Sequence, residues 1–243
     1  MKFTRKIITN QTASLSDVDF SEGEIILIDK PSGPTSFQIV SKIRKITGVK
    51  KVGHSGTLDP KASGLMIVCT GKKTKEMDNF IGLNKTYSGI IRLGLTSPSM
   101  DTETECSKIP LPDDIDLKKI LQARDNFLGE IEQTPPMYSA VKVGGKKLYN
   151  LARKGKSIER EPRRIFIEKF DITKIALPDI NFTITCSKGT FIRVIADDFG
   201  KKLNTGGVLV ELRRTGIGDF HVDEALSISS FATQFSSQVV GGL

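Results

Sequence analysis

Apolar positions recur along this chain with two periods, and the switches between them mark out its elements. Glu24 to Asp29 (EIILID) is an almost unbroken apolar run, the pattern of a buried strand. Lys30-Pro31-Ser32-Gly33-Pro34 ends it, because proline and glycine break both periods. From Ser36, read as an N-cap, Phe37, Val40, Ile43 and Ile46 follow at helical spacing until Gly48. Residues 53–64 are a glycine-rich loop, Leu65 to Cys69 a short strand, and Lys72 to Phe80 a helix. Lys85 to Leu93 alternates, with Tyr87, Gly89, Ile91 and Leu93 on one face. Leu117, Ile120, Leu121 and Leu128 mark a helix stopped by Gly129.

Met137 to Val143 reads as a strand, and Leu148, Leu151 and Ala152 as a short helix ended by Gly155. Ile180, Phe182, Ile184 and Cys186 alternate. Phe191 to Leu203 carries Phe191, Val194, Ile195 and Phe199 on one helical face, and Val208 to Leu212 returns to strand. Residues 227–243 are weakly patterned and expected to fray, as is the polar N-terminal stretch of about 20 residues. Interspersed strands and helices imply a mixed α/β or α+β sheet with helices packed on it, in a single domain.

Composition narrows the class. Hydrophobic residues make up 38% and charged residues 26% of 243, enough for a core without disulfides or metal. No apolar run approaches the ~20 residues of a membrane helix, and the N-terminus lacks a signal-peptide stretch, so the expected location is cytoplasmic, away from membranes. Cys69, Cys106 and Cys186 are expected to be reduced and structural. His54 and His221 have no His or Cys at ligand spacing, which argues against zinc or iron. GKKTK at Gly71 to Lys75 fails as a phosphate loop, because the first glycine of that pattern would fall at Met66. The acids Asp101, Glu103 and Glu105 could bind a divalent cation but read first as a solvated loop.

The net charge is +8, and its distribution matters more than its sum. Between residues 142 and 164 stand nine Lys or Arg, among them Lys146, Lys147, Arg153 and Lys154, against Glu159 and Glu161. Such a cluster suits a nucleic-acid backbone, and equally a solvated surface. Within Gly53-His54-Ser55-Gly56-Thr57-Leu58-Asp59-Pro60, two glycines permit tight turns and Pro60 stiffens the chain after Asp59. That holds a carboxylate on a constrained loop, as a nucleophile requires, although Asp-Pro is also a common turn former.

The exact residues say more than the spacing. GHSGTLDPKASGLMIVCTGKKTK resembles the catalytic signature of the bacterial tRNA pseudouridine-55 synthases, the TruB type. IDKPSGPTS at Ile28 to Ser36, Lys85-Thr86-Tyr87, PPMYSAVKVGGKKLYNLARKG at Pro135 to Gly155, CSKGTFIRVIADDFGKKL at Cys186 to Leu203 and ELRRTGIGDF at Glu211 to Phe220 match further blocks in order. The resemblance covers roughly residues 24–225. It implies the α+β pseudouridine synthase fold, a mixed, mostly antiparallel sheet flanked by helices. It implies an isomerase that detaches uracil from its ribose, turns it and rejoins it through carbon 5, with no cofactor and no metal.

By the same resemblance Asp59 is the nucleophile, Arg193 pairs with it, and Tyr87 stacks on the uracil. His54 contacts the RNA loop, Leu212 lines an apolar wall, and Lys85 belongs to the substrate-binding set. Read from the helix alone, Arg193 would be a surface charge. Phe191 stands where the family more often has tyrosine, which leaves it a packing role. The partner implied is the T arm of tRNA, gripped in part by Lys146, Lys147, Arg153 and Lys154; no obligate protein partner is evident. About two dozen residues follow the last motif, too few for the C-terminal PUA domain of many members, so the resemblance implies a short form. The alternative is a structured-RNA-binding protein without chemistry, for which Asp59 would be needless; a glycosidase would need a second carboxylate at a set distance.

Overall fold

The structure, a computed structural model, describes residues 7–15 and 18–240. In chain order the elements are β1 (Ile25–Lys30), α1 (Ser36–Thr47), β2 (Val52–His54), β3 (Ser63–Thr70), a 3-10 turn (Gly71–Glu76), α2 (Met77–Ile81) and β4 (Lys85–Leu93). Then come β5 (Leu95–Thr96), β6 (Ser107–Lys108), α3 (Leu117–Asp125), β7 (Gly129–Gln133), β8 (Lys142–Val143), β9 (Lys146–Lys147) and α4 (Leu148–Ala152). β10 (Arg163–Ala176), β11 (Asp179–Cys186), α5 (Ile192–Lys202), β12 (Gly207–Ile217), β13 (Phe220–His221), β14 (Leu226–Ser227) and α6 (Ile228–Val240) complete the chain. The contacts divide into two compact units, one of residues 1–87 with 213–243, the other of residues 88–212.

In the first unit β1 lies antiparallel to β3, from Ile25 opposite Cys69 to Lys30 opposite Gly64, and parallel to β14. β3 also pairs with β2 and, in parallel, with Arg213 and Arg214 of β12. β1 and β3 are buried almost throughout, which is why both read as continuous apolar runs. Helices α1 and α6 pack on each other, and α6 packs on β1. In the second unit β10 lies antiparallel to both β7 and β11, and α3 packs against α5 and β10. The architecture is the expected α+β arrangement, with a mixed and mostly antiparallel sheet.

Several local expectations change. The N-cap of α1 is Thr35: its hydroxyl accepts from the Gln38 amide, and the Gln38 side chain accepts from the Thr35 amide. Phe37 is 67% exposed, since the buried stripe of α1 is Ile39, Val40 and Ile43. Met137 to Val143 is not a strand as a whole; two prolines precede it, and only Lys142 and Val143 pair, with β9. β10 was hidden by its charged, half-exposed face. The C-terminal stretch forms α6, anchored by Phe231, which is fully buried and meets Phe20 edge to face. Near the N-terminus Ile8, Thr12 and Leu15 are buried and Ile8 bridges Ile26 in parallel, so the segment is anchored at these three positions; residues 1–6, 16, 17 and 241–243 lie outside the described ones. All three cysteines are free, and burial pushes the Cys69 thiol up to about 12.

Candidate active site

The loop that carries Asp59 runs from β2 to β3 and is tied down along its length. The Ser55 amide donates to the Ile67 carbonyl at 3.0 Å, continuing the β2–β3 ladder by one residue. Gly56 then turns at φ 140, and its amide donates to Nδ1 of His54 at 3.3 Å. That bond requires neutral imidazole at Nδ1. Burial lowers the His54 pKa, and the nearby Arg214 charge adds to the effect.

Leu58 is buried, and its amide and carbonyl are both held by one hydroxyl. Ser36 Oγ accepts from the Leu58 amide at 2.9 Å and donates to the Leu58 carbonyl at 3.0 Å. Past Asp59, the Ala62 amide closes a turn onto the Asp59 carbonyl at 3.1 Å, and the Gly33 amide donates to the Pro60 carbonyl at 2.8 Å.

Two buried cations complete the frame. Lys30 is fully buried at the end of β1, and its ammonium donates to the carbonyls of Pro31, Pro60 and Ala62 at 2.9, 3.2 and 2.6 Å. Three N–H donors thus meet three acceptors, which offsets much of the cost of burying the charge. Burial nevertheless draws its pKa down to about 8, opposed by the negative charge of Asp59. Arg214 is 1% exposed, and it donates from Nε to the Leu65 carbonyl at 2.7 Å and from Nη2 to the Gly56 carbonyl at 3.1 Å. Gly64, at φ 107, lets the Arg214 backbone approach: a Cβ there would lie 2.3 Å from the Arg214 carbonyl oxygen.

Tyr87 lies in β4 on the buried face shared with Lys85, Gly89, Ile91 and Leu93, as its alternation implied. The Lys85 ammonium donates to the carbonyls of Phe80 and Ile81 in the last turn of α2 and of Leu83 just beyond it. It therefore fixes the chain two residues before Tyr87.

In the second unit Arg193 sits in the first turn of α5 and is 3% exposed, so the helix-based reading of a surface charge is overturned. Its Nη1 donates to Oδ2 of Asp101 at 3.2 Å. Asp101 is itself held by the Ser99 hydroxyl at 2.6 Å and the Glu103 amide at 2.8 Å, so it is buried and hydrogen-bonded, while Glu103 and Glu105 are exposed as expected of a solvated loop. Phe191 stands before α5; its amide donates to Gln133 Oε1 at 2.7 Å and its carbonyl accepts from Gln133 Nε2 at 3.1 Å. Leu212 is half-buried in β12.

Of the basic segment, Arg153 and Lys154 are exposed, and the Arg153 guanidinium lies over the Tyr149 ring at 4.4 Å. The side chains of Lys146 and Lys147 lie outside the described residues. Among the described residues no three His, Cys, Asp or Glu are grouped to hold a metal ion, and no helix is long and apolar enough to cross a membrane. The motif blocks contained Lys30, Ser36 and Arg214, but Ser36 was read only as an N-cap and nothing marked the other two as buried; Asp101 was noted only among acids that could bind a cation, and Gln133 gave no signal.

Asp59 is thus half-buried on a loop whose backbone is bonded on both sides of it. The TruB family pseudouridylate synthase model, N-terminal domain, matches residues 44–192. The chain belongs to the TruB family. A protein named tRNA pseudouridine synthase B from Flavobacterium johnsoniae is 46% identical over 220 residues, covering 88% of this chain and 96% of that one. Another of that name from Phocaeicola vulgatus is 42% identical over 229 residues, covering 92% and 97%. Among solved structures, a chain of a Cbf5-Nop10-Gar1 complex superposes with a TM-score of 0.73 at 27% identity, covering 99% of this chain and 67% of that one. The fold of this TruB family member is that of the pseudouridine synthases.

Proposed function

We propose that this chain converts a uridine of tRNA to pseudouridine, that the target is uridine 55 in the T-arm loop, and that Asp59 is the nucleophile. The observation that carries the reading is the loop itself. Ser36, Gly33, Lys30 and Arg214 engage the backbone on both sides of Asp59, which fixes the main chain from which the carboxylate extends. The reaction breaks the bond from N1 of uracil to C1′ of ribose and forms one from C5 to C1′. The C5 proton is lost and N1 gains one, so the isomerisation balances without an external reactant.

A fixed carboxylate can add to the sugar or the base, or stabilise a sugar cation, between the two bond changes. Tyr87 is assigned stacking on the uracil, and its hydroxyl the C5 proton. To Arg193 falls the task of keeping the nucleophile ionised and oriented. Lys85 supports Tyr87, Leu212 forms an apolar wall, and His54, neutral, contacts the RNA loop. A uridine in a folded arm must leave its stack to reach Asp59, at a cost of a few kcal/mol that phosphate and stacking contacts offset. Lys146, Lys147, Arg153 and Lys154 supply some of these contacts, and neutralising them should flatten the salt dependence of binding.

The test is pseudouridine formation in unmodified tRNA, with Asp59→Asn alongside. Product at uridine 55 from the wild type alone supports the reading. Tight binding by both proteins without product from either would favour an RNA-binding protein without chemistry.

A further inference from the structure

A second charged surface lies outside the basic segment, on α1. From residue 31 to 61 the chain carries six Lys or Arg and one acid, Asp59. Arg44 is spent within the fold, donating to the Val52 carbonyl at 3.0 Å. Lys42, Lys45, Lys50 and Lys51 are exposed, and none has a carboxylate partner among the described residues. Some lysines elsewhere are paired, Lys72 with Glu22, Lys119 with Asp114 and Lys169 with Asp171, whereas these four stand within 10 residues of one another. A patch of like charges without counter-charges repels itself, and that repulsion is relieved by an anionic partner.

The patch also has a shape. Gly33, Pro34, Gln38, Ser41, Lys42 and Lys45 line a groove of about 540 Å³ along α1. Phe37 is exposed beside Gln38, and on a helix positions 37, 41 and 45 share a face. An exposed aromatic one or two helical turns from lysines on the same face is an element of single-stranded nucleic-acid grooves, where bases stack and phosphates meet ammonium groups. One end of the groove is tied to the Asp59 loop: the Gly33 amide bonds the carbonyl of Pro60 and the Ser32 hydroxyl bonds that of Lys61 at 3.0 Å.

We infer that the α1 groove is an RNA subsite: Lys42 and Lys45 hold backbone phosphates of the strand that flanks the target nucleotide. The inference rests on the reading of this chain as a tRNA enzyme, but its test needs no turnover. Binding of unmodified tRNA is measured against salt for the wild type and for Lys42→Ala/Lys45→Ala. Loss of two phosphate contacts should reduce the slope of log K against log salt by about 1.4 to 1.8, and Lys42→Arg/Lys45→Arg should restore it. An unchanged slope overturns the subsite. So does an equal change on neutralising Lys119 and Lys169, which are already paired, because net charge alone would then explain it. Failure of the enzyme reading shows separately, as absence of pseudouridine from the wild type whatever the slope.

Discussion

Replacing Ser36 by alanine removes one oxygen and nothing else, and the structure says what that oxygen does. It accepts from the Leu58 amide and donates to the Leu58 carbonyl, so both backbone groups of the residue before Asp59 lose their partner. Ser36 is 2% exposed and Leu58 3%, which leaves little room for water to substitute. An unsatisfied buried group costs about 1–3 kcal/mol, so two should cost about 2–4 kcal/mol after some relaxation. For a chain of this size that is a fall of about 4–16 °C in Tm. Relaxation would also let the loop shift, and a displacement of about 1 Å at a reacting group can cost on the order of 100-fold in rate. The assay is single-turnover pseudouridine formation at saturating tRNA, with urea unfolding beside it. The rate should fall by one to two orders of magnitude while tRNA affinity stays within about twofold. A Ser36→Ala protein with wild-type rate and stability within about 0.5 kcal/mol would refute the argument that this hydroxyl positions Asp59.

Lys30 makes stability depend on pH in a definite direction. Its folded pKa, about 8, lies below the ordinary 10.5, so between these values the unfolded chain binds more protons and stability rises with pH. Urea unfolding from about pH 7 upward should show this rise in the wild type relative to Lys30→Met; a constant difference would mean that the amine is not depressed. Asp101→Ala removes the carboxylate that meets Arg193, Ser99 and the Glu103 amide, and should cost about 3–5 kcal/mol in equilibrium unfolding. A cost below about 1 kcal/mol would show the pair to be dispensable. Gly64→Ala would drive a Cβ into the Arg214 backbone and should destabilise by more than about 4 kcal/mol, whereas Gly33→Ala, also at positive φ but with open space, should cost only about 1–2 kcal/mol. Equal unfolding midpoints for the two variants would refute the close approach.

The strands buried on one face or both were legible because burial writes itself into the sequence. β4 alternates residue by residue, and β1 and β3 are continuous apolar runs. The exact residues around Asp59 carried the family and with it the fold, since several ordered blocks constrain far more than any period does. Where one face is wet and charged the period fades, as in β10, and a lone apolar residue such as Phe37 can fit the period yet face solvent.

What only the tertiary structure decided is which polar groups meet. Arg193 finds Asp101 across 92 positions, Arg214 finds Gly56 across 158, and Lys30 finds Ala62 across 32. Each of these side chains reads as an ordinary surface charge when only its neighbours in sequence are known. Burial and partner are properties of the folded chain, and a charge can be buried only where the fold supplies the groups that satisfy it.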